Sequence, residues 1–188
     1  IRSCLVGSEM CIRDRSIGLD LPKTIFAHGW WLNKDSKMSK SVGNVINPLD
    51  LIDEFDEDSL RFFLMRDMKL GQDSNFSKES FIARYNSDLA NDLGNLLSRI
   101  TNLINKFFDG KLSSGFDKSL RGKIVQAESS KVISFTNECF RKMKINEAID
   151  NSMNCIKSIN KYIESMAPWK LVKTDMSAAS SVLLTSAE

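Results

Sequence analysis

The chain has 188 residues, of which 42% are hydrophobic and 27% charged, proportions that are ordinary for a folded domain. Its formal net charge is only +2, and no apolar stretch approaches the roughly 18 residues that a membrane-spanning helix needs. The four cysteines show no Cys-x-x-Cys spacing, so the sequence indicates neither a zinc site nor a thioredoxin-like redox pair, and we expect reduced thiols in a cytoplasmic protein.

The small net charge is unevenly distributed along the chain. Residues 76–173 carry 16 basic and 10 acidic side chains, whereas residues 1–75 carry 10 basic and 12 acidic ones. A local basic excess suits a polyanionic partner such as nucleic acid. Many solvated helical surfaces show the same excess, so this observation alone favours no partner.

The first 16 residues are set apart from the rest. Residues 3–15 resemble a translated sequencing adapter and show neither helical nor alternating periodicity. We therefore predict that residues 1–16 are an artefact without folded structure, and we exclude Cys4 and Cys11 from the argument.

Residues 24–32 are apolar and aromatic, with Pro22 before them and Asn33-Lys34-Asp35 after them. This pattern predicts a buried strand that leads into a turn. His28, the only histidine of the chain, lies within this segment.

The residues after this turn form the most specific pattern in the chain. Residues 37–41 read Lys-Met-Ser-Lys-Ser and continue as Val-Gly-Asn. Two lysines three positions apart, on a short loop with serine and glycine, suit a flexible cationic clamp for phosphate. A Lys/Ser cluster is ordinarily a solvated loop, but the fixed order of five residues favours the clamp.

Two short helices are predicted next, over residues 49–55 and 59–65, the second with acidic residues 56–58 at its start. The turn-rich residues 71–77 mark the best domain boundary. We therefore assign residues 17–74 to a first domain.

Residues 75–173 have a helical period and form the second predicted domain. Apolar residues spaced by three and four predict one long helix from Phe81 to about Asp109, followed by helices over 120–143 and 145–166. Ala167-Pro168 ends the last of these. Residues 174–188 are predicted to be a truncated, weak helix.

The order of residues 37–41 resembles the signature loop of the class I aminoacyl-tRNA synthetases. The resemblance implies that ATP, with Mg²⁺, is a substrate, and that Lys40 stabilises charge on the triphosphate with Lys37 assisting. Ser39 belongs to the same ATP-binding loop. His28 would lie near the ATP, where it could bind a phosphate or the ribose; a histidine satisfied at a strand end is the other interpretation.

Within that class, the sequence around the loop resembles the methionyl-tRNA synthetases. The resemblance covers about residues 17–173 and depends on residues 26–30, 42–48, 58–64, 71–73, 76–77, 85–99 and 167–170. It implies a mainly α-helical chain, in which the end of a Rossmann-like α/β catalytic domain, with its last strand and signature loop, is followed by an α-helical bundle that binds the anticodon.

The same resemblance implies a partner, methionine tRNA, and a set of residues that read its CAU anticodon. Asn95 and Arg99 fall one helical turn apart and would contact base edges, with Asn91 a weaker candidate one turn earlier. Trp169 would stack on an unpaired base. A core tryptophan beside a helix end is the alternative for Trp169.

The sequence departs from the family in one important respect. The family's other signature, His-x-Gly-His, needs two histidines, and this chain has one. The strands of the methionine pocket and the metal-knuckle insertion are also absent, so we predict no metal ligands and no methionine activation by this chain alone. A leucine, isoleucine or valine synthetase and a stand-alone tRNA-binding helical module are the rival interpretations.

Overall fold

A computed structural model describes residues 9–21, 28–112 and 115–187. The chain is mainly helical, as the sequence predicted, and it also has one small sheet of three strands. Its elements in chain order are α1 (Glu9–Ser16), β1 (Trp31–Asn33), β2 (Ser36–Lys37), α2 (Pro48–Glu54), α3 (Glu57–Asp67), β3 (Ser74–Asn75), α4 (Lys78–Arg84), a π-helical segment (Tyr85–Gly94), α5 (Asn95–Phe108), α6 (Leu120–Arg141), α7 (Ile145–Met166), α8 (Pro168–Leu171) and α9 (Met176–Ala187). Within the described ranges, no helix is both long and apolar enough to cross a membrane.

Helix α1 lies where the sequence predicted no folded structure. Arg13 and Arg15 in its last turn complement the negative end of the helix dipole, and Ile12 is exposed. That residues 1–16 are an artefact remains a prediction.

The sheet has the order β2-β1-β3, with β1 antiparallel to β2 and parallel to β3. Lys34 and Asp35 join β1 to β2 with φ angles of 52° and 59°, the left-handed conformation that a two-residue hairpin requires. The predicted strand over 24–32 is wrong in extent, because His28 to Trp30 have no strand structure and β1 covers Trp31 to Asn33. Residues 24–27 of that prediction lie outside the described residues.

Helices α2 and α3 confirm the two short helices predicted from the sequence. The side chain of Asn47 accepts a hydrogen bond from the Leu49 N–H at the start of α2, and Asp56 accepts one from the Ser59 N–H at the start of α3. These helices pack with the sheet around an apolar cluster that we call the N-terminal core: Leu51, Leu60, Phe63, Phe76 and Phe81. The predicted boundary after residue 74 thus leaves two residues of the predicted second domain, Phe76 and Phe81, in the core of the first.

The predicted long helix from Phe81 to Asp109 is continuous but not α-helical throughout. Residues Tyr85–Gly94 are π-helical, so the backbone hydrogen bonds between α4 and α5 have i→i+5 spacing instead of the i→i+4 spacing of an α-helix. In this segment the Asn160 side chain of α7 donates a 3.0 Å hydrogen bond to the Asp92 carbonyl. A side chain that donates to a helix carbonyl competes with the backbone N–H that would bond to the same carbonyl in an α-helix. Apolar periodicity in the sequence does not reveal such a contact.

Helices α5, α6, α7 and α9 enclose a second apolar cluster, the C-terminal core: Leu96, Ile100, Val125, Tyr162, Ile163 and Val182. The predicted helices over 120–143 and 145–166 are confirmed by α6 and α7. Ala167 ends α7 in the left-handed conformation.

Helix α9 lies where the sequence predicted a weak helix after residue 173, and it is packed against the rest of the bundle. Val182 and Leu183 are almost completely buried, and the Thr185 hydroxyl accepts a 2.8 Å hydrogen bond from the Asp117 N–H. The Asp117 carboxylate in turn accepts a 2.7 Å hydrogen bond from the Tyr162 hydroxyl of α7. Burial together with this bond raises the pKa of Tyr162, so the phenol stays protonated as donor.

Ion pairs join the two cores through five residues that we call the junction cluster: Arg66, Asp67, Arg84, Asp88 and Asp150. Asp88 of the π-helical segment is 1% exposed and lies 3.2 Å from Arg66 Nε and 3.5 Å from an Arg84 nitrogen. Arg84 also binds Asp67 at 2.9 Å, and Arg66 also binds Asp150 of α7. The cluster therefore links α3 and α4 to the π-helical segment and α7.

Candidate functional site

Residues 37–44 form a short closed loop that begins at the end of β2. Its second half turns back on Ser39, whose carbonyl accepts hydrogen bonds from the N–H groups of Val42 (3.2 Å) and Gly43 (3.1 Å). Gly43 has a φ of +70° with open space around it, a conformation that favours glycine at this turn. The hydroxyls of Ser39 and Ser41 are 2.7 Å apart.

Asn44 closes the loop, and the sequence did not single it out as a site residue. Its Oδ1 accepts a 2.8 Å hydrogen bond from the Ser39 N–H, and its Nδ2 donates to the Lys37 carbonyl at 3.2 Å. Asn33 Nδ2 of β1 donates to the Asn44 carbonyl at 2.8 Å. The only sequence indication of this role was the position of Asn44 within the Val-Gly-Asn continuation of the loop.

The two lysines of the predicted clamp lie in different environments. The Lys37 ammonium is 3.5 Å from the centroid of the Trp30 ring, a cation–π contact, and the Lys40 side chain is exposed. No carboxylate of the described residues forms an ion pair with either ammonium. The loop therefore presents two cations whose charge is available to an anion.

The backbone ahead of the hairpin is anchored to the connector between α3 and α4. Asp73 Oδ1 accepts a 2.7 Å hydrogen bond from the Trp30 N–H, and the Ser74 N–H donates to the Trp30 carbonyl at 2.9 Å. Gly29 lies so close to Gln72 that a Cβ on it would be 1.9 Å from the Gln72 carbonyl oxygen. Residues 26–30 and 71–73, which the sequence resemblance singled out separately, thus meet in space over their described parts.

His28 lies beside this anchor, but no contact among the described residues joins it to Lys37, Ser39 or Lys40. Its exposed ring is 2.7 Å, at Nδ1, from the carbonyl of Gly29. It borders a 220 Å³ pocket at the junction of the two cores with Met65, Met68, Leu70, Met143, Ile145 and Asn146. Its assignment to ATP binding remains a prediction.

A second site lies between α5 and α8. The Arg99 guanidinium carbon is 5.4 Å from the centroid of the half-buried Trp169 ring. Pro168 is buried and begins α8 directly after the left-handed Ala167, and this sharp turn sets the direction of Trp169. The structure therefore brings together two predicted residues that are far apart in sequence.

The other predicted residues of this site lie along the same helical run. Asn95 is the first residue of α5, one turn before Arg99, and is exposed; Asn91 is exposed within the π-helical segment. Because the segment is π-helical, Asn91 does not continue the α-helical face as the sequence analysis assumed.

Asn102 and Leu103 complete the lining of a 390 Å³ pocket beside Arg99 and Trp169, and the sequence analysis missed both. Asn102 Nδ2 donates to the Ser98 hydroxyl at 3.2 Å. The i,i+3 and i,i+4 spacing from Arg99 could have indicated them. Elsewhere, within the described parts of the chain, no three His, Cys, Asp or Glu side chains are grouped so that they could hold a metal ion.

The chain is similar to known proteins in its sequence and in its fold. Residues 9–101 match the family model described as tRNA synthetases class I (M). The methionine–tRNA ligase of Rickettsia felis is 43% identical over 170 residues, which make up 89% of this chain and 33% of that protein. The methionine–tRNA ligase of Lactococcus lactis is 45% identical over 165 residues, 85% of this chain and 24% of that protein.

The fold is also that of a solved relative. The structure of Mycobacterium tuberculosis methionyl-tRNA synthetase in complex with methionyl-adenylate superposes with a TM-score of 0.86 at 32% sequence identity. The superposition covers 93% of this chain and 35% of that one. The chain thus spans a quarter to a third of the length of the proteins to which it is similar.

Proposed function

We propose that the chain belongs to the methionyl-tRNA synthetases of class I and forms the part of a methionine–tRNA ligase that holds the triphosphate of ATP and reads the tRNA anticodon. The whole enzyme would activate methionine with ATP and transfer it to tRNA. In this proposal residues 17–74 end the Rossmann-like catalytic domain and residues 75–173 bind the anticodon. The curated relatives described above carry the name methionine–tRNA ligase, which favours methionine over leucine, isoleucine or valine.

The observation that carries the anticodon assignment is the meeting of Arg99 with Trp169 beside an open pocket. An unpaired base can stack on an aromatic ring while a guanidinium and an amide contact its edge. Arg99 supplies the guanidinium here, and Asn95, one turn earlier on the exposed face, supplies the amide. Asn91 has the same chemistry but a less direct approach.

The phosphate clamp consists of Lys37 and Lys40, with Ser39 in the loop between them. As the methionine carboxylate attacks the α-phosphorus of ATP, negative charge develops on the phosphates, and positioned cations stabilise it. Lys40, whose ammonium contacts no aromatic ring among the described residues, is the first candidate for this role, and Lys37, which lies on the Trp30 ring, assists. Mg²⁺ would arrive with ATP as part of the substrate.

The experiment that tests the anticodon assignment is binding of the 188-residue chain to methionine tRNA. Trp169→Ala removes the stacking surface, so we expect affinity for the CAU anticodon to fall about ten- to hundredfold, since stacking is worth roughly 1–3 kcal/mol per base. Trp30→Leu removes an exposed tryptophan that is far from Trp169 in the sequence. It is the matched control and should leave the affinity for methionine tRNA unchanged.

A tRNA with an altered anticodon completes this experiment. The unsubstituted chain should bind it more weakly than the CAU form, and Trp169→Ala should reduce that difference. Equal affinity of the unsubstituted chain and Trp169→Ala for the CAU form would contradict the assignment.

The proposal also predicts that this chain does not activate methionine by itself. A single histidine cannot supply the His-x-Gly-His signature that the resemblance implies for the other half of the active site. We expect no methionine-dependent ATP–pyrophosphate exchange when the purified chain is assayed. Exchange above the level seen without methionine would refute this expectation.

A further inference from the structure

The indole of Trp30 has no role in the proposed chemistry, yet its ring lies beside the phosphate clamp. Its side chain is 59% exposed, although tryptophan is usually largely buried. The neighbouring Trp31, in contrast, packs against Phe63 and Phe76 of the N-terminal core. In this chain the Trp30 ring is therefore accessible to neighbouring side chains and not packed into the core.

The backbone of Trp30, which carries the ring, is held by hydrogen bonds. The Trp30 N–H donates to Asp73 Oδ1 at 2.7 Å, and its carbonyl accepts from the Ser74 N–H at 2.9 Å. Gly29 is locked against the Gln72 backbone. The backbone of Trp30 is therefore anchored on both sides, while its side chain projects towards Lys37.

Lys37 and Lys40 differ in one contact. The Lys37 ammonium lies 3.5 Å from the centre of the Trp30 ring, and among the described residues no aromatic ring lies under Lys40. Lys37 belongs to the anchored strand β2, whereas Lys40 is in the turn beyond it. Lys37 thus has a binding partner for its ammonium within the chain, the Trp30 ring, which we call its resting place, and Lys40 has no such ring.

We propose that Trp30 is a positioning residue of the clamp, whose indole face holds the Lys37 ammonium while no polyphosphate is bound and releases it when one binds. A cation–π contact at an exposed site is weaker than a charge-assisted hydrogen bond to phosphate oxygen, so a polyphosphate can take the ammonium from the ring. The inference depends on the phosphate-clamp function proposed for the loop.

Nuclear magnetic resonance of the 188-residue chain with ¹³C-labelled lysine tests this inference. The ε-methylene protons of Lys37, close to the indole face, should be shifted upfield by the ring current, whereas those of Lys34 on the same hairpin and of Lys40 should not. Titration with inorganic tripolyphosphate should move the Lys37 resonance towards that of Lys34, and sulfate at matched ionic strength should not.

Two variants separate a resting place from a structural role. Trp30→Leu should abolish the upfield shift of Lys37 and tighten tripolyphosphate binding about two- to fivefold, because the competing contact is gone. Trp30→Phe, which keeps an aromatic face, should retain part of the shift. General damage to the loop would weaken binding instead of tightening it.

The outcomes distinguish this inference from the function on which it depends. An unshifted Lys37 in the free chain, or a Lys37 that stays on the ring while Lys40 responds to tripolyphosphate, overturns the role of Trp30 and leaves the clamp intact. If neither lysine responds, the clamp itself fails, and release by polyphosphate fails with it. Should Trp30→Leu not fold, the nuclear Overhauser contact between the indole and the Lys37 ε-protons still decides whether the resting place exists.

Discussion

Gly29 shows how a single residue fixes the base of the clamp. Its Cα faces the Gln72–Asp73 backbone so closely that any side chain would overlap it, with 1.9 Å between an added Cβ and the Gln72 oxygen. Backbone atoms cannot move aside as a flexible side chain can. The glycine is therefore required by this approach and not by its own φ angle.

Gly29→Ala should destabilise the chain by about 1–3 kcal/mol, because the added methyl group forces the two backbone segments apart. Urea unfolding measures this effect. Gly115→Ala is the matched control, since an added Cβ there meets nothing within 4 Å, and it should leave stability within about 0.5 kcal/mol of the parent. Similar stability of the two variants would show that the close approach is absent in solution.

The loop lysines could be proposed from sequence because five residues occur in a fixed order, but the residues that hold them could not. Asn44 acts through hydrogen bonds to Ser39 and Lys37 that depend on the turn at Gly43. Trp30 meets Lys37 only because the hairpin reverses the chain between them. Contacts of this kind follow from backbone geometry, which residue spacing does not encode.

At the scale of secondary-structure elements, α9 covers one side of the C-terminal core, and its extent of burial was not apparent from the sequence. It is rich in alanine and serine, and small side chains of this kind let a helix lie close to its neighbours. Buried positions fall on most of its circumference, so it has no apolar stripe to recognise. Leu183 is completely buried and Met176, near the start of the helix, is 49% exposed.

Leu183→Ala should therefore lower the free energy of unfolding by about 2–5 kcal/mol, the range for a large side chain removed from a packed core. Met176→Ala on the same helix is the control and should cost less than about 1 kcal/mol. Thermal unfolding followed by circular dichroism measures both variants. A change at Leu183 no larger than that at Met176 would mean that α9 does not pack on the bundle in solution.

Other elements were predictable for identifiable reasons. Asn47 and Asp56 are capping residues placed directly before α2 and α3, and the stripes of α6 and α7 have the ordinary helical period. The strand predicted over residues 24–32 is wrong in extent because the apolar residues of this segment resemble a buried strand. Trp30 is in fact exposed and lies outside β1. The short β3 gave no pattern of its own, since two residues cannot show alternation.

At the scale of the whole molecule, the junction cluster couples the two cores. Asp88 is buried and receives Arg66 from α3 and Arg84 from α4, and Arg66 reaches Asp150 on α7. The clamp is attached to the N-terminal core and Trp169 to the C-terminal core. The relative position of the two proposed binding sites therefore depends on these ion pairs.

Asp88→Asn should cost about 3–5 kcal/mol, because removing one partner leaves buried guanidinium groups without a carboxylate. We also expect the two cores to unfold at different urea concentrations in the variant, where they unfold together in the parent. Amide hydrogen exchange in α3 and α7 reports on each core separately. Asp92→Asn, whose partner Lys157 is half exposed at 3.5 Å, is the control and should cost about 1 kcal/mol or less. Coincident unfolding of both cores in Asp88→Asn would contradict the coupling.

The sequence could not have predicted this coupling. The charged residues of the cluster occur in three separate helices and in the π-helical segment, and each looks like an ordinary surface charge in the sequence. Asp88 becomes a buried residue only in the folded chain, where α3 and the π-helical segment both pack against α7. The resemblance to a family located the proposed sites, whereas the connection between them is visible only in three dimensions.

The π-helical segment sets the rotational phase of everything that follows it in the helix. A π-helical turn is closed by i→i+5 hydrogen bonds and so holds more residues than an α-helical turn. The side chains of α5, Arg99 among them, therefore point in a different direction around the helix axis from the one that an uninterrupted α-helix would give them. A substitution that returned Tyr85–Gly94 to α-helical geometry would turn Arg99 away from Trp169 without altering either residue, so the recognition of a base at one end of α5 is determined by backbone geometry at the other.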